Sequence, residues 1–145
     1  IVDFAVALSV MIVLMVANGL SFHLTMVLVP VWTLLFLMLA VGIGSVLGSL
    51  SVRYRDIPQV TPVVVQLALF ASPVAYAASA VPARFANVLF LNPIAGLLQG
   101  FRWALLGTPA PTVRTWGYAV SVSVVAFVVG MLVTQRMERR FADII

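Results

Sequence analysis

The chain has 145 residues, 63% hydrophobic and only 8% charged, with a formal net charge of +4 and a mean hydropathy of +1.19. A water-soluble domain carries about 25% charged residues, so the composition excludes that class and places the chain among membrane proteins. There is no cysteine, which excludes a disulfide framework and a thiolate metal site. All basic residues are Arg, and all but Arg102 lie at the edges of apolar stretches, a pattern that reads as membrane orientation rather than affinity for nucleic acid.

The chain starts at Ile1 and is apolar at once, without the basic stretch and small-residue cleavage site of a signal peptide. It reads as a piece of a longer protein whose N-terminal part is missing. About 20 apolar residues cross a bilayer, and on that measure the first span covers about 4–20, closing near Ala17-Asn18-Gly19. After a short polar turn holding His23, the second span covers about 25–51. Within it, Ala40, Gly44 and Gly48 set small residues at every fourth position, a pattern that lets helices approach closely. His23 has no His, Cys or carboxylate near it in sequence, so a metal role is not expected.

A charged island follows, Arg53-Tyr54-Arg55-Asp56, in a chain otherwise free of Asp, Glu, Lys and Arg from Phe4 to Val52 and from Ile57 to Ala83. Such a cluster must lie at a membrane surface. Its plain role is a topology anchor; its functional role is a contact for a cytoplasmic partner. Arg53 and Asp56 at i, i+3 could pair on one face of a short surface helix, and Pro58 suits the first turn of the next helix. The third span covers about 59–80, and Pro73 within Ser72-Pro73-Val74-Ala75-Tyr76 is expected to kink it.

The stretch 85–107 is as long as a span, but Asn92-Pro93 breaks its middle and Arg102 sits inside it. It is either a broken span or a re-entrant hairpin of two short helices, since irregular backbone at membrane depth needs cover from protein or water. The last span covers about 115–135, and an Arg-rich tail covers 136–145. If 85–107 turns back, Arg53, Arg55, Arg136, Arg139 and Arg140 share one face, against Arg84, Arg102 and Arg114 on or near the other. That asymmetry is the one expected of a cytoplasmic face, and it favours the hairpin. The expected fold is therefore an all-α integral membrane protein: four transmembrane helices with a re-entrant helical hairpin before the last span.

Phe101, Arg102 and Trp103 fall in the hairpin. An Arg at membrane depth usually faces a cavity or an anionic group, and aromatic faces beside it suit an amphipathic solute. With Tyr76 they form the candidate substrate pathway. Trp116 and Tyr118 read as interfacial belt residues. No catalytic constellation, phosphate-binding loop or pair of intramembrane carboxylates is present, so an enzyme is not expected and any ATP would be bound by another chain.

Five motifs come in order: Val52-Arg53-Tyr54-Arg55-Asp56-Ile57, Ser72-Pro73-Val74-Ala75-Tyr76, Leu91-Asn92-Pro93-Ile94-Ala95-Gly96, Phe101-Arg102-Trp103-Ala104-Leu105-Leu106-Gly107 and the closing Glu138-Arg139-Arg140-Phe141-Ala142-Asp143-Ile144-Ile145. Together they resemble the membrane permease of type-2 ABC exporters for polysaccharides, the O-antigen, capsule, galactan and teichoic acid exporters. The resemblance covers essentially the whole chain and matches the C-terminal part of a six-span permease. It implies a multi-pass protein of the bacterial inner membrane, working as two permease copies. Each copy would join a cytoplasmic ABC ATPase that holds ATP and Mg, and the substrate would be a lipid-linked glycan. It makes Asn92-Pro93 part of an outer-gate hairpin and Arg53, Tyr54, Arg55 and Asp56 a coupling surface, secondary to a main coupling loop in the missing part. The rival readings are a type-2 exporter of drugs or lipids, a carrier or channel needing no ATPase, and a non-transporting scaffold. Carriers usually keep acidic residues inside their spans, whereas every carboxylate here lies at a segment end.

Overall fold

The structure is a computed structural model that describes residues 2–19, 23–72 and 91–142. The described residues include five α-helices and one 3-10 turn with both ends placed, in the order α1 (Val2–Ala17), a 3-10 turn (Leu24–Leu28), α2 (Val29–Arg53), α3 (Ile57–Ala71), α4 (Pro93–Leu106) and α5 (Val113–Ala142). The all-helical expectation holds for these residues. Two helical runs, Leu24–Arg53 and Val113–Met137, are long and apolar enough to cross a membrane, whereas α1 and α3 are shorter apolar helices.

Helix boundaries follow from local chemistry. α1 closes on Gly19, whose φ of 66° suits a residue without Cβ, and its N–H bonds the Val16 carbonyl at 3.0 Å. Where the sequence reading runs one helix through 25–51, the backbone starts as a 3-10 turn and becomes α-helical at Val29, with Pro30 in the first turn. α2 cannot run on past the island, because Pro58 offers no N–H and its ring would meet the carbonyl of Tyr54. Tyr54 is accordingly extended, and Pro58 opens α3. The short surface helix expected at the island is therefore absent, and no ion pair joins Arg53 to Asp56 among the described residues.

The core is a three-helix contact. α2 presents Val29, Trp32, Leu35, Leu39, Gly42 and Ser49 on one buried stripe, spaced at the three-to-four interval of a helix face. α5 answers with small residues: Thr115, Ala119, Ser123 and Gly130 are buried, with Ala126 and Thr134 half-buried. The helices touch at Gly42 and Gly130, where a Cβ on Gly130 would lie 2.5 Å from the Gly42 carbonyl oxygen. The expected small-residue face of Ala40, Gly44 and Gly48 is not the one used: all three are exposed, and a Cβ on Gly44 or Gly48 would meet nothing within 4 Å.

α2 and α5 run in the same direction. Trp32 meets Trp116 edge-on with ring centres 6.4 Å apart, Gly42 meets Gly130, and the Ser49 and Thr134 hydroxyls are 3.4 Å apart. Arg53 and Arg136 consequently lie at one end of the bundle. α4 runs the opposite way along the other end of α2, with Gly100 against Trp32 and Ala104 beside Thr25.

Candidate functional site

α4 is the element around which the other segments converge. Its start is set by Asn92-Pro93. Pro93 supplies a first-turn residue with no N–H to satisfy, and the Asn92 side chain caps the turn, its Oδ1 accepting from the Ile94 N–H at 3.0 Å. Its end is set by Gly107, left-handed at φ 61°, whose N–H bonds the Trp103 carbonyl at 3.1 Å. The next carbonyl, that of Ala104, would be an orphan of the helix end; the Thr25 hydroxyl donates to it at 3.1 Å.

Three small residues, Gly96, Gly100 and Ala104, form a buried stripe on α4. A Cβ on Gly96 would lie 2.9 Å from that of Ala119, and a Cβ on Gly100 would enter the ring of Trp32. The indole of Trp32, only 5% exposed, thus lies against α4 backbone on one side and near Trp116 on another. The stripe is visible in sequence as Gly96-x3-Gly100-x3-Ala104, with the same spacing as Ala40, Gly44 and Gly48.

Asn92 does more than cap. Its Nδ2 donates to the Ala71 carbonyl at 3.1 Å and to the Ser72 hydroxyl oxygen at 2.9 Å. Ala71 is the last residue of α3, and Ser72 is its cap, 1% exposed. One amide therefore satisfies the start of α4 and the end of α3 together. One residue earlier, the Leu91 carbonyl accepts from the Tyr118 hydroxyl of α5 at 3.1 Å. Tyr118, 38% exposed, therefore also ties α5 to the residue before the cap.

The pathway residues are distributed differently from a single wall. Phe101 meets Phe4 and Phe36 edge-on, each with ring centres 6.2 Å apart, joining α1, α2 and α4. Trp103 is half-buried against the core, and Arg102 between them is half-buried. Successive helical residues point about 100° apart, so the three side chains cannot share one face. Tyr76 and Pro73 lie outside the described residues. At the island Arg53, Tyr54, Arg55 and Asp56 are all exposed, with the Arg53 guanidinium 5.7 Å from the Tyr54 ring centre. Among the described residues no group of three or more His, Cys, Asp or Glu could hold a metal.

No protein-family profile matches the chain, and no solved structure matches it. Three curated proteins do, all named as the O-antigen export system permease protein RfbA. One from Myxococcus xanthus is 26% identical over 143 residues, covering 97% of this chain and 55% of that protein. Two from Klebsiella pneumoniae are each 22% identical, one over 107 and the other over 109 residues, covering 72% of this chain and 40% of the relative. The chain thus spans about half the length of the curated relatives it matches.

Proposed function

We propose that this chain is the C-terminal part of the membrane permease of an ATP-driven exporter that moves a lipid-linked polysaccharide across the bacterial inner membrane. The observation that carries the reading is the likeness to O-antigen export permeases, which in one relative extends over 97% of the chain. The shared direction of α2 and α5 adds support, because it sets Arg53 and Arg136 at one end. That is the arrangement required if 85–107 turns back instead of crossing, with both basic clusters on the cytoplasmic face.

In this reading the permease makes and breaks no covalent bond. A cytoplasmic ABC ATPase, binding ATP and Mg, would act on the permease through a loop outside this chain and, secondarily, through the exposed island Arg53-Tyr54-Arg55-Asp56. The permease would respond because its conformations differ in affinity for the closed ATPase. A second permease copy would complete the channel. Asn92 and Pro93 belong to the outer-gate hairpin, and Tyr76, Phe101, Arg102 and Trp103 line or support the glycan route. Within the last set the aromatic contacts of Phe101 favour a supporting role for that residue.

The test is deletion of the full-length gene, with the product of the neighbouring ATPase gene probed by co-purification. The expected result is loss of surface glycan, accumulation of its lipid-linked precursor inside the cell, and an ATPase that co-purifies with the permease. Unchanged surface glycan together with no associated ATPase would overturn the reading. Loss of a drug-resistance or lipid phenotype with intact glycan would move the chain to the other exporter branch.

A further inference from the structure

α3 is joined to the rest of the molecule in an unusual way. None of its residues is fully buried; Ile57, Thr61 and Ala68 are half-buried on one face, while Val63, Val64, Leu67 and Leu69 are more than half exposed. At one end it continues from the charged island. At the other end it meets Asn92, whose Nδ2 holds the Ala71 carbonyl and the Ser72 hydroxyl oxygen. The orientation of that amide is fixed by its partners: the Ile94 N–H can only donate and the Ala71 carbonyl can only accept, so Oδ1 faces α4 and Nδ2 faces α3.

We infer that Asn92 is a positioning residue, a clasp that makes α4 follow α3, so that displacement of the Arg53–Asp56 island reaches α4 and its contact with Trp32. α3 touches α2 along one side only lightly, so the contacts at its ends weigh more in deciding what moves with it. Of the two ends of α3, one is the island and the other is held by this amide. α4 in turn is held at its far end by Thr25 and along its length by Gly96 and Gly100, so a pull at Asn92 acts on a rigid, well-packed element. That the island is driven by an ATPase rests on the export reading; the clasp itself rests on the geometry of Asn92.

The two parts separate experimentally in the full-length permease. This region contains no cysteine, so spin labels can be set at exposed positions 60 on α3, 99 on α4 and 125 on α5. The informative variant is Asn92→Ser, since serine still caps α4 but is too short to reach α3; Ser72→Ala removes one of the two bonds to α3 and leaves the cap intact. The expected result is a narrow distance distribution between labels 60 and 99 in the wild type, broadened in Ser72→Ala and more so in Asn92→Ser. The 99–125 distribution should stay unchanged, showing α4 still docked. With the ATPase bound and nucleotide added, both the 60–125 and 99–125 distances should shift in the wild type, and only the former in Asn92→Ser. Export per ATP hydrolysed should then fall about tenfold, within the range of ordinary coupling free energies.

Superposable 60–99 distributions in wild type and Asn92→Ser would overturn the clasp. A preserved nucleotide-driven shift of 99–125 in Asn92→Ser would overturn the transmission. No nucleotide-driven shift in the wild type would overturn the export reading and the transmission with it, while the resting distributions still decide the clasp.

Discussion

α3 and α4 are nearly equal in length, 15 and 14 residues, and both are apolar, yet they are held in opposite ways. α4 buries Ala95, Gly96, Leu97, Gly100, Ala104 and Leu105; α3 fully buries none of its residues. The difference lies in side-chain size at the four-residue interval. Gly96, Gly100 and Ala104 let α4 bring its backbone against Trp32 and Ala119, and close approach gains dispersion contacts that lipid cannot match. α3 has no glycine: its half-buried face holds Ile57, Thr61 and Ala68, and its exposed valines, leucines and phenylalanine pack as well against acyl chains as against protein. Among apolar helices in a membrane, small residues decide docking more than hydrophobicity does.

The comparison can be broken from the α4 side first. Replacing Trp32 by Ala empties the space over Gly100, and we expect a loss of about 3–5 kcal/mol, read as a lowered thermal midpoint of the detergent-solubilised full-length permease. Gly100→Ala drives a methyl into the same ring and should cost about 1–3 kcal/mol, as should Gly130→Ala at the crossing with Gly42; both are measurable by the same melting assay. Tyr118→Phe removes the hydroxyl bonded to Leu91 and should cost about 0.5–1.5 kcal/mol, with α4 becoming more accessible to proteolysis near its start. The smallest effects belong to open surface. Gly44→Ala on α2 and Val64→Leu on α3 should stay within about 0.5 kcal/mol of wild type, and a Gly44→Ala effect as large as that of Gly130→Ala would show that the Ala40–Gly44–Gly48 face is covered in the assembled protein.

The hydrophobic runs, Pro58, Pro93 and the Gly19 turn were legible in sequence because each acts through its own backbone within a few residues. The choice among small-residue stripes was not. Ala40-Gly44-Gly48 and Gly96-Gly100-Ala104 have the same spacing, and what separates them is which neighbour arrives, a property of chain segments far apart in sequence. Gly42 gave even less signal, since its partners Ala126 and Gly130 belong to another helix. Asn92 was legible as a helix breaker, because Asn-Pro disfavours helix locally, but its grip on Ala71 and Ser72 crosses 20 or more residues of chain. The candidate pathway was grouped by adjacency in sequence, and a helix scatters adjacent residues around its axis. That is why Phe101 meets Phe4 and Phe36 while Arg102 and Trp103 point elsewhere.

The pairing of α2 with α5 also sets a schedule for biosynthesis. Ser49 and Thr134 are separated by 85 residues, and a ribosome adding roughly 5–20 residues per second needs roughly 4–17 seconds to make that stretch. During that interval the notch at Gly42 has no partner from this chain, although α2 itself is already made. Lipid or the insertion machinery must occupy it and then leave. A mutation that slows the release, or a Gly42 side chain that holds a lipid too well, would show as misassembly during synthesis even where the finished protein is stable.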